Sequence, residues 1–233
     1  MFKSKKYYLA TMETINLYLH QAAEENMEAA LLLSDGCVAQ AMPIFQNALS
    51  ILDQLRPLDL IFKASMNLPF ECTSVDVPYL EDDHYFVYHR AVIFSTKTIS
   101  PLYRNLNEID FYRGVVIFNM ALATHMRGTV LKEEKTMHRA VHLYNESLHT
   151  FRNIPLGDTT TDLLRVAALN MTMIIHSNMG EYQKAKESLD DVRDHWRHAL
   201  VLEFQSEAFG KEDIEGFILN TLEMLPPTAA ACA

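Results

Sequence analysis

Turn-forming residues are scarce in this chain of 233 residues, which holds only 7 Gly and 8 Pro. A β-sandwich needs such residues at nearly every strand end, so the shortage argues against a chain made mostly of strands and favours helices. Cysteine is scarce as well: Cys37, Cys72 and Cys232 are far apart and odd in number. No CxxC or Cys/His spacing accompanies them, which suggests free thiols in a reducing compartment rather than a zinc site. Positive charge is in the minority, 20 Lys and Arg against 30 Asp and Glu, for a formal net charge of −10. That balance opposes binding to nucleic acid or to an anionic membrane surface. No run approaches the roughly 18 apolar residues of a membrane span. Glu13 and His20 interrupt the stretch where a signal-peptide core would lie. The expectation is an intracellular, cytoplasmic protein, with the nucleus not excluded.

What is present is apolar residue in quantity, 49 % of the chain, enough for a sizeable core. A single helical domain is expected over 1–225, with a tail at 226–233 too poor in apolar surface to hold itself down. Helical hairpins are expected at about 9–55, 109–152 and 161–204. Their turns fall at Ser34-Asp35-Gly36, at Gly128 and at Gly180-Glu181, and the second helix ends before Pro57. Asp158 is a candidate N-cap. An irregular excursion fills about 56–100, and within it Tyr85 to Phe94 (YFVYHRAVIF) is dense in aromatic and β-branched residues and predicts a strand. A lone strand leaves its backbone unpaired. The partner expected for about 85–94 is about 216–222, so that two distant segments make a minor two-stranded β element.

One pattern recurs in the helices. Ala41-Phe45-Ala48, Ala140-Tyr144-Ser147 and Ala185-Leu189-Val192 each space a small residue, a large one and a small or short one by four and three. On a helix this lets a neighbour approach closely at the small sites while the large side chain fills the gap. The preceding helices repeat too: Phe118-Asn119-Met120 aligns with Leu169-Asn170-Met171 at an offset of 51. Asn26 stands fifteen residues before Ala41 and Asn170 fifteen before Ala185, whereas Asn119 to Ala140 is six longer. The middle unit therefore carries an insertion, around Gly128 to Met137.

Gly180-Glu181-Tyr182, continued by Ala185, Leu189 and Val192, resembles the second half of a tetratricopeptide repeat (TPR). So does Gly36 continued by Ala41, Phe45 and Ala48, and the unit at Ala140 matches the same half. The family's repeat is about 34 residues long; the units here are irregular, so the resemblance is to TPR-like proteins. In its order of segments the chain also resembles TPR-like proteins abundant in diatoms, a likeness that implies no activity. The resemblance implies a short α-solenoid of antiparallel helix pairs. It also assigns repeat packing to Ala41, Phe45, Ala48, Ala140, Tyr144, Ser147, Gly180, Tyr182, Ala185 and Leu189.

Such a superhelix binds peptides along the surface lined by its first helices, where an asparagine can hydrogen-bond a peptide backbone in both directions. Asn119 and Asn170, with Arg113 and Arg165 near them, are the peptide-binding candidates. The plainer reading is that these residues satisfy contacts inside the fold. His125 and His176 lie about 120° around the helix from the asparagines. His138 and His142 have i, i+4 spacing without HExxH, and Glu81-Asp82-Asp83 lacks the order of a calcium loop, so no metal or other cofactor is expected. No Walker glycine loop, GxGxxG or GxSxG occurs. The expected function is non-catalytic: a scaffold docking a peptide or partner helix in the groove carrying Asn119 and Asn170. Two alternatives stand beside it. One is a small-molecule-binding or enzymatic domain with a pocket between the β element and the repeats. The other is a structural homo-oligomer joined through its exposed ends.

Overall fold

The computed structural model describes residues 2–59, 72–78, 85, 87–94, 106–154, 158–199 and 209–223. The tail at 226–233, Cys232, the acidic run at 81–84 and most of the excursion lie outside the described residues. The described chain is mainly helical: α1 (Phe2–Ser34), α2 (Val38–Asp59), α3 (Leu106–Leu131), α4 (Glu134–Phe151), α5 (Thr159–Asn178), α6 (Tyr182–Ala199) and α7 (Lys211–Glu223). Two strands, β1 (Cys72–Asp76) and β2 (Arg90–Phe94), form the sheet. Among the described residues no helix is long and apolar enough to cross a membrane.

Connections of two or three residues join α1 to α2, α3 to α4 and α5 to α6, so each pair is an antiparallel hairpin. The pairs pack in chain order, α2 on α3 and α4 on α5. The nine side chains of the small–large–small pattern are all buried, none more than 2 % exposed. Tyr144 stands edge-on to Phe118 of the preceding helix, and Ser147 Oγ donates to the Gly114 carbonyl at 2.8 Å. A Cβ at Gly114 would lie 2.2 Å from the Phe151 ring, so the bare glycine is what lets α4 settle onto α3. Tyr182 does not pack as expected: it opens α6 and is 72 % exposed.

The strand expectation is corrected in its partner. β2 occupies the last five residues of the aromatic stretch and pairs antiparallel with β1, Cys72 opposite Phe94 and Asp76 opposite Arg90. Residues 216–222 belong to α7 instead. The buried positions there, Asp213, Gly216, Phe217 and Asn220, recur every three to four residues, a helical period. The Asp213 carboxylate accepts from the Gly210 N–H at 2.8 Å and anchors the helix start. Two boundaries also move. α2 continues past Pro57 to Asp59, and α3 runs through Gly128 to Leu131. Asp158 caps α5 as expected, accepting from Thr161 N–H at 2.8 Å.

α1, α3 and α5 end identically. In each, one N–H reaches back five residues and the one before it reaches back three: Cys37 to Leu32 with Gly36 to Leu33, Glu133 to Gly128 with Lys132 to Thr129, and Glu181 to His176 with Gly180 to Ser177. This is the Schellman termination, whose penultimate residue takes a left-handed conformation. Gly36 and Gly180 both have φ 75°, and Lys132 has φ 51°. The shared landmark locates the insertion. From asparagine to left-handed residue the spacing is ten, thirteen and ten (26 to 36, 119 to 132, 170 to 180). From there to the small residue it is five, eight and five (36 to 41, 132 to 140, 180 to 185). The six extra residues thus divide equally, three on the end of α3 and three at the start of α4. The middle hairpin is lengthened by nearly one turn on each arm, about 4.5 Å at 1.5 Å per residue.

Candidate functional site

Two places on α1, α3 and α5 could serve a ligand: the face carrying the asparagines, and the ends where the hairpins turn. At the first, Asn26 and Asn119 are fully buried. Asn119 Oδ1 accepts from the Val92 N–H at 2.9 Å, and its Nδ2 donates to the Val92 carbonyl at 2.7 Å and to Asn26 Oδ1 at 2.9 Å. Asn26 Nδ2 reaches the same carbonyl at 3.0 Å. Asn119 therefore holds an extended backbone in both directions, and that backbone is the chain's own β2. On the sheet side, Val92 faces Ser74 of β1. The two asparagines take the edge that a third strand would otherwise occupy.

Asn170 is covered in the same way by α7, whose Asn220 Nδ2 donates to Asn170 Oδ1 at 2.7 Å. An aromatic cluster seals the two segments together. Tyr88 stacks on Phe209 at 4.9 Å and touches Phe118 and Phe217, with Trp196 behind Phe217. Burial raises the Tyr88 phenol well above its ordinary pKa, so it stays neutral. Arg90 bridges the strands to α7, pairing Asp76 at 3.0 Å and Asp213 at 2.9 Å. Burial raises the Asp213 carboxyl, against the lowering pull of the Gly210 N–H and Arg90.

The candidate arginines are equally engaged. Buried Arg165 pairs with Asp162 and donates to the carbonyls of Phe151 and Ile154 at 2.6 and 2.7 Å, closing the end of α4. Arg113 on α3 pairs with Asp53 on α2 at 2.7 Å. The four residues nominated as peptide contacts do not converge on an open groove; each serves the packing of its own chain.

The second place is a cleft of about 440 Å³ where the hairpins turn. The lengthened hairpin supplies Gly128, Thr129, Lys132, Glu134 and Met137, and the end of α5 supplies Ile174, Asn178 and Met179. His125 and Val87 complete the lining. Val87, His125, Gly128 and Ile174 are buried and form the floor, while Thr129, Lys132, Glu134 and Asn178 are exposed at the rim. A Cβ on Gly128 would lie 2.6 Å from Met137 Sδ, so this glycine lets the thioether lie flat on α3. Glu134 pairs with His138 at 3.5 Å. Val130 and Leu131, between the rim residues Thr129 and Lys132 in the chain, are exposed, as is Tyr182 at the start of α6.

The sequence signal that leads to this cleft is the insertion itself: the residues counted as surplus, around Gly128 to Met137, include half of its lining. Nothing in their chemistry marked them, since the cleft draws its lining from three helices and from Val87, which the sequence does not place together. Comparison with protein-family models, with curated proteins and with solved structures finds no match.

Proposed function

We propose that this chain is a non-catalytic binding module, built as a short TPR-like solenoid, whose accessible site is the cleft under the lengthened hairpin. The repeat reading is supported by three helix pairs in sequence and by the common termination of α1, α3 and α5. One observation carries the choice of site: residues of the insertion supply half the lining of a cleft of about 440 Å³, within the usual range for ligand pockets. The asparagine face is a poorer candidate because the chain already fills it. Docking a peptide there means lifting off β2 and α7, exposing Tyr88, Phe209 and Phe217 at about 2 kcal/mol each and breaking the asparagine network. A protein partner remains the second reading for the cleft, favoured by the exposed Val130 and Leu131 between its rim residues Thr129 and Lys132.

The test is amide chemical-shift mapping against a mixed library of small ligands and short peptides. The proposal expects perturbations concentrated at 125–137 and 174–179. Ligands that instead shift residues around Asn119 and Asn170, while leaving the cleft still, would restore the groove reading and remove this one.

A further inference from the structure

Three equivalent helix ends, compared with one another, show an exception. The left-handed residue is glycine in the first and third units and Lys132 in the middle one. Glycine adopts this conformation freely, whereas a residue with a Cβ does so at a cost. The middle unit bears that cost at an end that lines the cleft, and the residue bearing it is a cleft-lining cation. Among the described residues the Lys132 ammonium has no ion-pair partner, and the only carboxylate in the lining, Glu134, is turned to His138. Behind the rim the cleft is mainly apolar, with Ile174 and Val87 on the floor alongside the His125 imidazole and Met137 and Met179 beside them. Thioethers adapt their shape to varied apolar guests.

We propose that the cleft binds a small amphipathic anion, its apolar body lying between Met137 and Met179 and its carboxylate or phosphate meeting Lys132 at the rim. Thr129 and Asn178, exposed on the same rim, supply further donors to the head group. This inference rests on the cleft being the binding site, and the experiment separates the two claims.

Octanoate, octyl phosphate, octylamine and octanol share one tail and differ in the head. Each is titrated below its micelle concentration into the whole chain, and affinity is read from amide shifts at 125–137 and 174–179. The expected result is that one or both anions bind about fivefold more tightly than octanol, as for an exposed charge pair, with octylamine weakest. Octanoate against octyl phosphate tells which head the rim prefers. Lys132→Gly removes the ammonium and relaxes the backbone; Lys132→Gln removes the ammonium and keeps the backbone cost. Both should bring the anions to the level of octanol without changing octanol itself, and Lys132→Arg should retain the preference. Melting curves accompany each variant, and Lys132→Gly should melt no lower than the wild type. Equal binding of all four heads at the cleft overturns the anion inference and leaves the cleft standing. An anion preference that survives both Gly and Gln also overturns it. No shift at the cleft with any head overturns both claims.

Discussion

The asparagine face and the cleft share α3 and α5, yet one is sealed and the other open. On the face, Asn26, Asn119 and Asn170 recur in register, and segments of the chain itself have settled onto them. At the helix ends the register is broken by six residues, and nothing from the described chain fills the space created. A side chain repeated in every unit is well placed to do the same structural job in every unit. A departure from the repeat brings in residues that the other units lack, and here those residues supply half the lining of the cleft. Repetition here marks the core, and irregularity marks the candidate site.

If the face is core, damaging it should be the costliest change. Asn119→Ala strips the Val92 N–H and Asn26 Oδ1 of buried partners. Each buried group left unsatisfied costs about 1–3 kcal/mol, so a loss of about 3 kcal/mol is expected in urea unfolding. The cleft should keep its ligand as long as the variant remains folded. A loss below about 1 kcal/mol would mean that β2 rests only lightly on α3, and the groove would be open to a partner after all.

The next effect separates two kinds of glycine. Gly114→Ala drives a methyl into the Phe151 ring, an overpacking expected to cost about 2 kcal/mol. Gly180→Ala meets no atom within 4 Å and loses only the ease of a left-handed backbone, about 1 kcal/mol. Thermal denaturation of the two variants side by side should rank them in that order. The reverse order would show that the hairpin ends, not the α3–α4 contact, carry the tighter constraint.

These residues also show how far the sequence was legible. The small–large–small triplets revealed the helix pairs because close packing admits few residue types at those sites. The in-register asparagines were visible, but their partners were not: a buried asparagine binds a foreign backbone and its own β2 by the same donor and acceptor. The strand at Arg90–Phe94 was legible from its composition. Its pairing with Cys72–Asp76 was not, since β1 is short and lies in a stretch without clear periodicity. Phe217, Ile218 and Leu219 read as strand by residue type, while the spacing of Asp213, Phe217 and Asn220 was the better guide to a helix. The insertion could be counted and placed around Gly128 to Met137, but not divided between the two arms of the hairpin. Gly128 looked like the end of α3, because a glycine inside a helix costs about 1 kcal/mol against alanine. It is there for the approach of Met137, and the true end is a lysine in a conformation that no sequence rule assigns to lysine.

The smallest expected effect tests the helix end on the far wall of the cleft. Glu181 follows Gly180 in the α5 termination, with Lys184 Nζ at 2.7 Å and His176 Nδ1 at 2.5 Å. The hydrogen bond from Lys184, followed by that from His176, lowers its carboxyl below the ordinary 4.5. A carboxyl lowered on folding adds stability that is fully present above 4.5 and is lost as pH falls through the folded value. Glu181→Gln should therefore melt slightly below the wild type at pH 7, by less than either glycine variant, because the carboxylate is partly open to solvent and screened. The gap should close on acidification below 4.5 and narrow in high salt. A gap that persists unchanged at pH 3 would mean that Glu181 holds the α5 end through its backbone and packing alone. The ion pairs would then contribute nothing, and the wall of the cleft would be set by the Schellman bonds that all three helices share.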